Sequence, residues 1–200
     1  MNFLTHILIS KTLYRHLSKK MDLDLKAFSY GNIKPDLSPQ CLRNPHMLEN
    51  YLFIIQHDYN RLISHNAPVK EFSIALGVIC HYICDFFCRC HLNHKLYHKL
   101  LSHFIYEIRL HMAFCSMLRH EIKLEPDRKG PAGNLAATVM VMRKEYMTKQ
   151  KTLQMDIEYA VMTSFFVCQL IDRAIKNAAE KTAAASGTDY FTASYSPYRG

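Results

Sequence analysis

Glycine is scarce in this chain, at six of 200 residues, and proline adds only seven further breakers. With 49% hydrophobic residues, that scarcity argues against disorder and for a globular protein rich in helix. No strand alternation of weight and no internal repeat is present. The longest apolar stretch, Phe72 to Cys88, contains His81 and Asp85, which argues against a membrane span. The first residues, MNFLTHILISKTLYRHLSKK, lack a basic leading region and a small-residue cleavage site, so they do not read as a signal peptide. Seven cysteines, an odd number without an evident disulfide framework, agree with a reducing compartment. The expectation is a soluble, cytoplasmic protein with no transmembrane segment and of undetermined oligomeric state. No dense Lys/Arg run with interleaved aromatics supports dedicated nucleic-acid binding. The formal charge of +8 still favours anionic partners such as phosphate esters or an anionic membrane surface, unless it is only a solvated basic face.

What is present is a cluster of ligand-type residues. His81, Asp85, His91, His103 and Glu107 fall within 27 residues. His81/Asp85 and His103/Glu107 are each spaced i, i+4, so on a helix each pair forms a two-toothed claw on one face. Imidazole with carboxylate suits zinc where a position stays open for water. His81 and His91 are ten residues apart, about 15 Å of helical rise and roughly 80° of azimuth. One straight helix could not bring both to one ion. Either the helix ends or bends near Arg89–Cys90, or His81/Asp85 hold one ion and His91/His103/Glu107 another. The second reading is favoured, with more than one metal in a catalytic site. A single His-x3-Asp is commonly a mere hydrogen-bonded pair; two claws with a histidine between them are not readily accidental.

The periodicity predicts helices over residues 3–20, from Asn44-Pro45 (N-cap and first turn) to about Ser64, from Pro68 through the 72–86 stripe, from about His94 to His120, and over 135–148 and 152–181. Tyr30 to Pro39 reads as a loop, and Glu125 to Asn134 as a turn-rich connection. Residues 1–181 form one domain, an all-α multi-helix bundle, and residues 182–200 a flexible tail.

Asp36, between Pro35 and Pro39, sits in a stiff segment suited to a ligand or general base, or to a simple Asx turn. His46 near a helix start is a candidate ligand or a surface histidine, with His57 in reserve to replace it. His6 lies one turn into the first helix. Cys80, Cys84 and Cys88 form an i, i+4, i+8 column read as small buried core rather than thiolate ligands.

Together, His81-Tyr82 … Asp85, His91 and His103 … Tyr106-Glu107 resemble the signature of the zinc-dependent phospholipase C family, which shares its fold with the S1/P1 nucleases. Thr5-His6, the Gly31-to-Asp36 loop and Pro45-His46 match it in order and spacing over roughly residues 1–110. The resemblance implies an all-helical bundle with two to three zinc ions in a cleft. One would be held by Asp36, His46, His81 and Asp85, a second by His91, His103 and Glu107, and a third by His6, Asp85 and the amine and carbonyl of Met1. Members with the full third site usually begin with Trp after export, whereas this chain has no Trp.

The implied chemistry is phospholipase C-type hydrolysis of a phospholipid or related phosphodiester by a metal-bridged hydroxide, with Asp36 orienting or deprotonating the water. The partner would be a phosphate ester, including phospholipid at a membrane surface. A cytoplasmic location would favour another phosphoester, or export by an unusual route. The alternatives are an S1/P1-like nuclease acting on single-stranded nucleic acid, and a non-catalytic helical protein that metals merely stabilise.

Overall fold

A computed structural model describes residues 1–38, 44–64, 66–92, 94–119, 130–131 and 133–188. Among these the regular structure is entirely helical, as the composition implies. The chain runs through α1 (Phe3–Leu17), α2 (Leu25–Gly31), α3 (Lys34–Leu37), α4 (Leu48–Ser64) and α5 (Val69–Phe86). It continues through a 3₁₀ turn (Arg89–Leu92), α6 (His94–Tyr97), α7 (Leu100–Arg119), α8 (Leu135–Thr148) and α9 (Leu153–Thr188).

The bundle is organised around α5. From Ile79 to Phe86 every residue of this helix is buried, apolar or not. A helix dry on all sides belongs in a core, and α2, α4 and α9 enclose it. His81 and Asp85 are thereby carried into the interior, where a polar group persists only if its hydrogen-bonding or charge demand is met.

α2 and α5 cross at two glycines. A Cβ on Gly31 would lie 2.2 Å from the Ile74 carbonyl oxygen, and one on Gly77 would lie 2.4 Å from that of Phe28. Only hydrogen at both positions permits the approach. The crossing sets Asn32, just beyond α2, against His81, one turn beyond Gly77.

Caps explain the nearby helix starts. Asn2 accepts from the Thr5 N–H at 2.9 Å, and Asp24 accepts from the Ala27 N–H at 2.8 Å. The Asn2 amide also donates to the Glu107 carbonyl at 3.1 Å, tying the first residues to α7.

Several boundaries differ from the sequence expectation. The 30–39 stretch contains the end of α2 and the short α3 rather than an unbroken loop. Asn44-Pro45 does not cap a helix; residues 45–47 are irregular and α4 starts at Leu48. The single helix expected from His94 to His120 is split, with a break at His98–Lys99. α9 reaches Thr188, so the tail boundary at 181/182 falls inside a helix. Most of the 125–134 connection, and residues 189–200, lie outside the described residues.

Candidate metal centre

Asp85 is the centre of the site. Its carboxylate is 1% exposed and meets five cationic or imidazole groups. The Met1 amine pairs with Oδ1, and His6 Nε2 lies 3.3 Å from the same oxygen. Around Oδ2 stand His46 Nδ1 at 2.9 Å, His81 Nε2 at 3.4 Å and His91 Nδ1 at 3.7 Å. Burial would raise the Asp85 pKa, but the Met1 ammonium and the imidazoles of His91, His81 and His6 outweigh it and hold the carboxyl well below its ordinary range.

Asp36, on α3, approaches from the solvent side. Its Oδ1 lies 3.6 Å from His81 Nε2 and 3.9 Å from His46 Nδ1. Burial pushes its carboxyl up despite the opposing charge of His6. Donor atoms of Asp36, His46, His81 and Asp85 all lie within 4.8 Å of one another, a spacing that one cation could share. This set combines α3, the irregular segment before α4, and both ends of the first claw on α5.

A second group lies beside it. His103 Nε2 and Glu107 Oε1 are 3.1 Å apart along α7, and the His103 and His91 rings meet edge to face at 5.2 Å. Glu107 also lies 3.5 Å from the Met1 amine. Burial acts to raise its pKa, but that amine and the His103 hydrogen bond bring it down to about 2. α5 ends at Phe86, and the 3₁₀ turn swings His91 back towards Asp85, so the straight-helix separation does not apply. Cys88 joins His91 and Glu107 within the same 4.8 Å spacing. Cys88 is fully buried, as its place in the Cys80/Cys84/Cys88 column implies, and its i+3 spacing to His91 is the sequence signal for this second role. His57 is exposed on α4 and belongs to neither group.

Ring tautomers test whether this set suits a metal. Three histidines place Nδ1 at hydrogen-bond distance from a main-chain carbonyl: His81 to Asn32 at 2.8 Å, His91 to His46 at 3.2 Å and His103 to Tyr97 at 3.3 Å. A carbonyl only accepts, so each Nδ1 carries the proton; His81 and His91 thereby keep a lone pair on Nε2, while His103 Nε2 stands against the Glu107 carboxylate at 3.1 Å. That is the outer bonding characteristic of metal-ligating histidine. His91 Nε2, His46 Nε2 and both nitrogens of His6 are buried without a hydrogen-bond partner. Leaving such atoms unsatisfied costs about 1–3 kcal/mol each. Burial holds the imidazoles of His81 and His91 neutral, His91 at about 3, which keeps them competent as ligands. The residues therefore fit zinc.

The site opens to solvent through a cleft of about 360 Å³, lined in part by Asp36, His46, His91, Tyr97, Phe104 and Glu107. No helix is long and apolar enough to cross a membrane among the described residues.

Compared with known proteins, the chain is matched over residues 5–184 by a family model described as zinc dependent phospholipase C. No curated protein and no solved structure matches it.

Proposed function

Since the chain belongs to the zinc-dependent phospholipase C family, we propose that it hydrolyses a phosphodiester, most directly a phospholipid, in the cleft above Asp85. The observation that carries this reading is the convergence of four imidazoles and two carboxylates on one solvent-connected point. Asp36, His46, His81 and Asp85 would hold one zinc ion. His91, His103 and Glu107 would hold a second, and the Met1 amine with His6 and Asp85 a third.

Bound zinc supplies Lewis acidity, which acidifies water and offsets negative charge on phosphoryl oxygens. The protein's own groups do the rest. Asn32, His46 and Tyr97 hold three imidazoles in one tautomer and orientation through their carbonyls. Asp36 lines the cleft and its carboxylate would orient the attacking water and receive its proton. Its partial burial raises its basicity towards that task. The leaving alkoxide would take a proton from solvent through the open mouth.

A second reading, a nuclease of the S1/P1 type, is favoured by the rings of Tyr97 and Phe104 in the cleft wall, on which a base could stack. Zinc per chain, measured by elemental analysis on untagged protein, tests both readings at once. Two to three ions are expected, fewer in His81→Ala, with at least about a hundred-fold loss of phosphodiesterase activity. Turnover of phosphatidylcholine against single-stranded nucleic acid then separates the two substrates. A protein that neither contains zinc nor takes it up would end the phosphoesterase proposal.

A further inference from the structure

The cleft above the metal centre is not the largest cavity described. A second, of about 560 Å³, lies on the opposite side of α7. His103, Phe104 and Glu107 face the metal centre, whereas Ser102, Ile105, Tyr106 and Arg109 face this second cleft. At about 100° per residue the mean directions of these two sets fall on opposite sides of the helix, so α7 is the wall between the two.

The floor of the second cleft is a closed hydrogen-bond network. Asp156 is buried, and its Oδ1 accepts from the Tyr146 hydroxyl at 2.6 Å. Its Oδ2 accepts from the Tyr106 hydroxyl, which itself accepts from the Arg89 N–H at 3.0 Å. Both Asp156 oxygens are thus already engaged.

The walls carry four cations: Arg89 from the 3₁₀ turn, Lys99 and Arg109 from the start and middle of the α7 segment, and Lys151 before α9. Among the described residues, Arg89, Lys99 and Arg109 form no ion pair. Lys151 lies 4.1 Å from the centre of the Tyr146 ring and donates to the carbonyls of Tyr146 and Lys149, the latter at 3.0 Å. Four cations against the one acid of the floor leave a formal charge of +3. Isolated surface lysines are ordinarily just solvated. Several cations on one concave wall focus a positive field and favour an anion between them. The Ser102 and Thr152 hydroxyls at the same site add neutral donors.

We propose that this cleft is a second, metal-independent binding site for a phosphate-bearing anion. Arginine forks and lysine ammoniums are the side chains that recognise phosphate oxygens. The anion could be free phosphate or the headgroup of an anionic lipid. Ile105, which lines the cleft and is 47% exposed, and Leu101, one turn before it on α7 and 71% exposed, supply the apolar flank that the lipid source needs.

The test uses the full chain after chelation, so that zinc cannot bind the probe. Calorimetric titration with inorganic phosphate is run beside sedimentation with vesicles of phosphatidylcholine alone or mixed with phosphatidylglycerol. The wild type is compared with Lys99→Glu/Arg109→Glu, with a charge-matched control, Lys11→Glu/Lys70→Glu, at exposed positions outside the cleft, and with His81→Ala. Circular dichroism checks that each variant is folded. Affinity should fall at least about ten-fold in the cleft variant alone. Loss of inorganic phosphate binding identifies the free anion as ligand. Loss of pelleting with phosphatidylglycerol vesicles, with no phosphate binding at any stage, identifies the lipid headgroup. An absence of binding in the wild type, equal losses in both charge-reversed variants, or loss in His81→Ala overturns the proposal.

Discussion

A carboxylate shielded from water depends on its neighbours, and Asp85 is surrounded by an ammonium and four imidazoles. Asp85→Asn keeps the shape and removes the charge, leaving those groups without their common counter-ion. Breaking a buried ion pair from one side costs about 3–5 kcal/mol. The variant should lose zinc and a comparable amount of stability, read as zinc per chain and as the urea midpoint. Unchanged zinc content would remove Asp85 from the proposed ligands. Cys88 is the contrary case. It sits within reach of His91 and Glu107, yet it is packed in the core and its thiol is pushed up in pKa by burial. Cys88→Ala should keep full zinc content and cost about 1 kcal/mol of packing; a missing zinc would instead make Cys88 a ligand. At this scale the i, i+4 claws were legible because helical periodicity alone puts their teeth together. The Asn32, His46 and Tyr97 carbonyls that orient the rings were not, because every residue has a carbonyl and none announces its partner.

Among the elements, the crossing of α2 over α5 governs the site. The Asn32 carbonyl reaches His81 Nδ1 only because Gly31 and Gly77 let two backbones meet. Gly77→Ala would drive a methyl group into the Phe28 carbonyl and force the helices apart. The expected result is a loss of about 2 kcal/mol or more in urea denaturation. Zinc affinity, measured by chelator competition, should weaken by about ten-fold to a hundred-fold as His81 loses its hydrogen-bond partner. Normal affinity in a destabilised variant would show that the crossing serves packing alone. Neither glycine stood out in the sequence, since an isolated helical glycine carries no sign of what it touches. The start of α4 was misplaced for a related reason. Asn44-Pro45 has the local form of a cap, but the segment stays irregular, and the His46 carbonyl accepts from His91 instead of opening a helix. The division between α6 and α7 was likewise invisible to apolar spacing, which continues across it.

For the molecule as a whole, burying so many titratable groups links folding to pH. Burial lowers His91 from 6.5 to about 3, against the opposing pull of Asp85, so on acidification the unfolded chain takes up its proton first. A state that binds more protons gains as pH falls, so metal-free protein should lose stability from about pH 6.5 down to about 3. Glu107, held at about 2, adds to the loss below its unfolded pKa of about 4. Urea midpoints of chelated protein across that range are the check, and a flat profile would contradict the burial of these groups. Bound zinc should raise the midpoints near neutral pH, because it binds the folded state, and the gain should fade on acidification as protons compete for the same nitrogens. The sequence by itself determined the helical class, the two claws and the family signature, because these depend on composition and on spacing within single elements. That Met1, His6, Asp36 and His46 join Asp85 was implied by the family resemblance; only the tertiary structure decided the distances between them, that Cys88 stands beside His91, and that α7 separates two clefts. Those relations join residues distant along the chain, and they exist only once the buried α5 has gathered its neighbours around it.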